Sequence, residues 1–221
     1  MFALGAVAAS SALAKPLIHF TAEGAATDTG GMSVISTTAD REFECERSTG
    51  KGNVIGLDKA HLLIEFEKCT VALGGACTTT ESGTEVGVIG NVHVLALALL
   101  GSDTVPPLDL PAVLITTVNK ADEKANVTFN CGLLFEITVR DSIIGLVKNV
   151  TTGKGGLLVT LAKSAVGGQQ DLHFWDESEE GVLGLLEFEA KGLESFPFEQ
   201  ASVEAIALLL STGTPPILVE T

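Results

Sequence analysis

The chain has 221 residues, with 28 acidic against 13 basic side chains and a formal net charge of −15 at neutral pH. A surface of that sign repels phosphate backbones and anionic bilayers, whose recognition needs clustered Lys and Arg that release counterions, so it argues against nucleic acid as a partner. The length is ample for one core, and no linker long enough to divide it stands out, so 15–221 is expected to form a single domain.

Residues 1–14, MFALGAVAASSALA, are uncharged and rich in Ala, and they close on Ala12-Leu13-Ala14. Small residues three before and one before a scissile bond are what signal peptidase accepts. The stretch therefore reads as a signal peptide cleaved after Ala14, with Lys15 as the first residue of the mature protein. It lacks a basic n-region, as a leader truncated at its start would. The apolar run is shorter than the ~20 residues that span a bilayer as a helix, so no transmembrane anchor is expected.

Beyond the leader the chain consists of short runs rich in Val, Ile, Leu, Thr and Phe, bounded by Gly, Asn, Asp or Pro, which is the pattern of strands and turns. Strands are expected at 31–36, 42–47, 61–71, 86–100, 112–118, 126–134, 136–147, 156–163, 170–175, 182–190 and 202–210. Turns are expected at Ser48-Thr49-Gly50, Gly74-Gly75, Pro106-Pro107, Gly153-Lys154-Gly155 and Gly167-Gly168, where Gly supplies positive φ and Pro a fixed one. In Ile64-Glu65-Phe66-Glu67 apolar and acidic residues alternate, which gives one buried and one wet face, and Glu187-Phe188-Glu189 repeats the pattern. The run Val92-His93-Val94-Leu95-Ala96-Leu97-Ala98-Leu99-Leu100 is apolar on both faces and must be covered twice. It fits a central strand under a second layer, a strand lining an apolar lumen, or a buried helix; 199–210 is the other helix candidate. The fold class is all-β, an antiparallel β-barrel or β-sandwich with at most one short helix.

Cys45, Cys69, Cys77 and Cys131 form an even set without a CxxC pair, so neither a thioredoxin-like spacing nor a paired zinc knuckle is present. In an oxidising compartment such a set pairs. Of the three connectivities, Cys69 with Cys77 across the Gly74-Gly75 turn and Cys45 with Cys131 are favoured. The second would close a long loop and stabilise by on the order of 4 kcal/mol on the chain-entropy model.

The ordered motifs are Cys45-Glu46-Arg47-Ser48-Thr49-Gly50-Lys51-Gly52, Phe66-Glu67-Lys68-Cys69 with Cys77 following, Phe129-Asn130-Cys131, Val139-Arg140-Asp141-Ser142-Ile143-Ile144-Gly145-Leu146-Val147 and Phe198-Glu199-Gln200-Ala201. Their order resembles a family of small secreted proteins of soil actinobacteria without an assigned activity. The resemblance covers most of 15–221 and implies secretion and a β fold. Its motifs are cysteines, a turn and strand cores, and they bring no catalytic residue to carry over. Relatives often have Pro-Val-Asn or Pro-Ile-Asn after the Ile-Gly strand, where this chain has Lys148-Asn149-Val150, so that turn is expected to differ.

Catalytic signatures are sparse. Gly50-Lys51-Gly52 and Gly153-Lys154-Gly155 lack the longer glycine-bounded cradle and Lys-Ser/Thr pair of a phosphate loop, and they read as hairpin turns. No Gly-x-Ser-x-Gly elbow occurs, and neither Ser142 nor Ser195 has a local partner. His19, His61, His93 and His173 are scattered without the spacing of a zinc helix, and His93 reads as a core or lumen histidine with one hydrogen-bond partner. Asp176, Glu177, Glu179 and Glu180 lack the order of a dedicated calcium loop and read as a solvated turn. Glu65/Glu67 and Glu187/Glu189 could flank a glycosidic bond, but one Trp and no Tyr leave few sugar platforms.

No metal or cofactor is therefore expected. The first functional expectation is a secreted or envelope-associated, non-catalytic protein acting through its surface or rigid body, with a cell-envelope component or small apolar molecule as partner. The second is a barrel-type carrier of a small hydrophobic ligand, with His93, Leu95, Leu97 and Leu99 lining its lumen. A hydrolase with a non-local active site comes third.

Overall fold

Alternation and β-branched content carry through into strands along almost the whole described chain, and no helix occurs among the described residues. The fold, a computed structural model, describes residues 18–20, 23–39, 41–56, 58–71, 75–79, 85–99, 101–102, 111–121, 123–133, 135–150, 156–161, 173–175, 181–183, 186–192, 196–211 and 218–220. The expected leader, 1–14, lies outside them.

In chain order the strands begin with β1 (Ile18–Phe20), β2 (Gly24–Thr37), β3 (Glu42–Cys45), β4 (Arg47–Ile55), β5 (Lys59–Glu67), β6 (Thr70–Val71) and β7 (Cys77–Thr79). There follow β8 (Ile89–Leu99), β9 (Gly101–Ser102), β10 (Ala112–Thr117), β11 (Val127–Cys131), β12 (Phe135–Arg140) and β13 (Ser142–Val150). The last six are β14 (Gly156–Leu161), β15 (His173–Trp175), β16 (Gly181–Leu183), β17 (Glu187–Gly192), β18 (Phe196–Ser211) and β19 (Leu218–Glu220).

Eight of these close an antiparallel barrel in the order β2-β4-β5-β8-β10-β13-β14-β18, with β18 returning to pair with β2. The strands β2 and β18, 14 and 16 residues long, outrun the barrel. Past its end β2 takes β3 and then β6 as neighbours, while β18 takes β17, β12, β11 and β7. These two limbs meet at the antiparallel bridge Thr70↔Ala76, so the second set of strands also returns on itself. Closure leaves the barrel no free strand edge, the feature that otherwise invites aggregation.

Inside the barrel the inward residues alternate along β8, and irregularities interrupt the register of β2 with β18 and of β5 with β8. One row runs through Asp28, Gly50, Ile64 and Val92 as cross-strand partners on β2, β4, β5 and β8. The core is continuous from the barrel (Leu62, Val94, Val113, Leu157) into the second set (Phe43, Phe129, Ile137, Phe188), where the Phe43 and Phe129 rings lie 5.0 Å apart. Burying each such side chain stabilises the fold by roughly 1.5–3 kcal/mol.

Three expectations are corrected here. Ser48-Thr49-Gly50-Lys51-Gly52 is not a turn but the middle of β4, paired on both sides with β2 and β5. A Cβ on Gly52 would lie 1.9 Å from the His61 carbonyl oxygen, so the glycine is required by close approach of two strands. Neither helix candidate is a helix: 92–100 falls largely in β8 and 199–210 in β18, where pairing with neighbours on both sides uses the main-chain groups a helix would need. The expected strand 136–147 is two strands, broken at Asp141 with φ 69°, where the chain passes from the second set into the barrel. Asp is among the few non-glycine residues that tolerate this left-handed conformation.

The disulfides also differ from the favoured pairing: Cys45 bonds to Cys69 and Cys77 to Cys131. All four cysteines are buried, in one row across β3, the start of β6, β7 and β11. Cys69 and Cys77 do face one another over the bridge, but the Cys77 N–H donates to the Cys69 carbonyl at 2.7 Å. Hydrogen-bonded antiparallel partners are held about 5.5 Å apart at Cα, whereas non-hydrogen-bonded partners approach to about 4.5 Å. The bonded pairs are the close ones, at Cα separations of 4.0 and 3.9 Å. Two disulfides are compatible with an extracellular protein.

Candidate functional site

The inner row of the barrel does not fill its own space. Between the middle of the barrel and the second set of strands lies a cavity of about 190 Å³, lined chiefly by Leu62, Ile64, Phe66, Val92, Val94, Ala96, Ile115, Phe129, Val147, Val159 and Val203. Small residues make the room: Gly30 and Gly31 on β2, Ala96 on β8 and Ala205 on β18 all line it. An eight-stranded barrel is just wide enough for side chains to fill or for one small ligand.

Polar groups reach this space at few points. Ser33, Ser48 and Thr117 contribute to the lining, and so does Asp28, the one carboxylate there among the described residues. Asp28 is 5% exposed, and among the described residues it has neither a hydrogen bond nor an ion pair. Burial pushes its carboxyl up from the ordinary 3.8 to about 6. Its cross-strand partner is Gly50, where a Cβ would stand 3.0 Å from the Asp28 Cβ, so the two strands pack closely here and a glycine suits the position. A buried carboxylate without a partner is an unpaid cost in most cores, and such groups concentrate at functional sites.

Comparison with protein-family models, curated proteins and solved structures finds no match to this chain. The site is therefore read from its own chemistry.

The lumen residues expected from the sequence lie on the wrong face. On β8 the cavity takes Val92, Val94 and Ala96, while His93, Leu95 and Leu97 alternate to the outside of the barrel and are half-buried there. Leu99 belongs to a separate outer cluster with Ala112 and Ile144, against which Leu114 and Leu146 pack. Because the run is apolar on both faces, composition carried no sign of which face was inward, and a slip of one residue exchanges the two. His93 Nδ1 lies 3.2 Å from His61 Nε2 on the outer face, so its partner is another histidine. His19 falls in β1 and His173 in β15.

Of the paired carboxylates, Glu65 lines a small outer pocket with Thr49, Lys51 and Asn91, and the other three are held in ion pairs. Glu67 binds Arg47, Glu187 binds Arg140 at 2.5 Å, and Glu189 lies 3.2 Å from Lys191. The Arg140 guanidinium also stacks 3.6 Å above the Phe198 ring, so this ion pair tethers β12 to β17 and β18. Ser142 is buried in β13; Ser195, 153–155 and 176–180 lie outside the described residues. No group of three or more His, Cys, Asp or Glu among the described residues could hold a metal ion. Asp28 was missed in the sequence because a lone Asp in Ala-Ala-Thr-Asp-Thr-Gly-Gly looks like a turn residue. Its signal is its parity: it shares a face with Ala26 and Gly30.

Proposed function

We propose that this is a secreted or envelope-associated protein without catalytic machinery, whose barrel lumen binds a small, mainly apolar molecule. The apolar cavity of about 190 Å³ inside a closed barrel carries the reading. Left empty, a cavity of that size costs on the order of 4–5 kcal/mol relative to a filled core, at about 24 cal/mol per Å³. Larger residues at Ala96 or Ala205 would remove that cost, and the chain does not use them. A cavity of about 150 Å³ lined by apolar side chains holds benzene, which sets the scale of the ligand at roughly six to ten heavy atoms. Export is supported by the two disulfides, by the leader-like residues 1–14 and by the resemblance to secreted actinobacterial proteins.

The test has two arms. Native mass spectrometry of protein purified from its own host is expected to reveal a co-purifying small molecule, or a bound state regained on adding one. In calorimetry the purified protein is expected to bind ethylbenzene with saturable, one-to-one stoichiometry. No bound species in the first arm and no saturable heat in the second would defeat the proposal.

A further inference from the structure

We infer that the lumen selects a ligand carrying one protonated amine on an apolar body, and that Asp28 is the group that receives the ammonium. The inference rests on the lumen-binding reading above and adds the chemical class of the ligand.

The argument begins with what surrounds the carboxylate. Asp28 lines the cavity from β2, is 5% exposed, and has no hydrogen-bond or ion-pair partner among the described residues. Its cross-strand partners are Gly50 of β4, with Ile64 of β5 beyond it, and Leu209 of β18, while the pair Gly30 and Ser48 lines the cavity two residues further on. None of these titrates, and among the described residues Asp28 is the only titratable group in the lining. Lys51, the nearest cation along β4, is on the exposed face. Among the described residues, then, no counter-charge faces the carboxylate, and the negative charge is open to the cavity.

An isolated carboxylate in an apolar enclosure is satisfied by a cation that brings its own donors, and a primary ammonium brings three. A charge-assisted hydrogen bond in a dry site is roughly twice as strong as a neutral one. The remainder of the lining is mostly apolar and accepts an apolar body, which places the polar end of the ligand at Asp28 on β2. A neutral alcohol would satisfy the carboxylate less well, and a carboxylic acid would be repelled.

The experiment compares three probes of eight heavy atoms each: benzylamine, benzyl alcohol and ethylbenzene. Each is titrated by calorimetry into the full-length protein and into Asp28→Asn, which keeps the side-chain volume. The wild type at pH 8 is expected to bind benzylamine at least tenfold more tightly than benzyl alcohol. Because the ammonium needs the ionised carboxylate, whose value lies at about 6, its affinity is expected to fall about tenfold at pH 5, while that of ethylbenzene changes less than twofold. Asp28→Asn is expected to lose the amine preference and keep ethylbenzene binding. Equal affinities for amine and alcohol in the wild type, or an amine preference that survives in Asp28→Asn, would overturn the inference while ethylbenzene binding leaves the lumen reading standing. Failure of all three probes to bind overturns both.

Discussion

Asp28 contributes to stability with a sign opposite to that of a salt-bridged acid. Its folded value, about 6, lies above the 3.8 of the free side chain, so between these values the folded state holds more protons than the unfolded one. Stability from this group is fully present below about pH 4 and is lost as pH rises through 6, by up to about 3 kcal/mol. Asp28→Asn is therefore expected to be more stable than the wild type by about 1–3 kcal/mol at pH 7.5 and near-equal at pH 4, by urea denaturation at the two pH values. An identical difference at both would show that Asp28 does not titrate in the enclosure. Gly52 gives a second residue-scale test. Gly52→Ala drives a Cβ into the His61 carbonyl, while Gly31→Ala meets nothing within 4 Å. The first is expected to lower stability by about 2–4 kcal/mol and the second by less than ~0.5 kcal/mol or not at all, read from chemical denaturation midpoints.

At the scale of elements, the row of cysteines joins the two limbs of the second set of strands to their inner neighbours. The bonds span sequence separations of 24 and 54 residues. On the chain-entropy model these correspond to roughly 3.5 and 4 kcal/mol, so the two should differ by less than ~1 kcal/mol. Cys45→Ala with Cys69→Ala, and Cys77→Ala with Cys131→Ala, are each expected to lower stability by about 3–4 kcal/mol, the second pair slightly more. Connectivity is read by peptide mapping without reduction. No Lys or Arg separates Cys69 from Cys77, so the digest needs cleavage after Leu73, for which chymotrypsin serves. A peptide in which Cys69 is joined to Cys77 would contradict the row. The elements themselves were legible to different degrees. Strands 42–47, 112–118 and 126–134 were found close to their observed bounds because alternation and turn residues agree there. The strand β4 was not, because Gly50 and Gly52 are turn residues by propensity and strand residues only where two backbones crowd.

For the whole molecule, the eight-stranded closure is what creates an interior at all, and the small residues on its inner face decide that the interior is not full. Ala96→Leu places three more carbons into the cavity from β8. It is expected to hold or raise the melting temperature, since it fills empty space, and to abolish ethylbenzene binding in calorimetry. Undiminished binding would place the ligand elsewhere than the lumen. The amino-acid sequence by itself determined the all-β class, the presence of a mostly apolar core, the acidity and an even, pairable set of cysteines, because each follows from composition or from period-two alternation within a few residues. Tertiary structure alone decided barrel over sandwich, which face of β8 is inward, which cysteines are partners, and that Asp28 stands alone in a cavity. Each of these depends on which strands pair and in what register between segments separated in the chain, such as Asp28 with Gly50 or Ala201 with Thr37, and a shift of one residue in register exchanges inward for outward side chains.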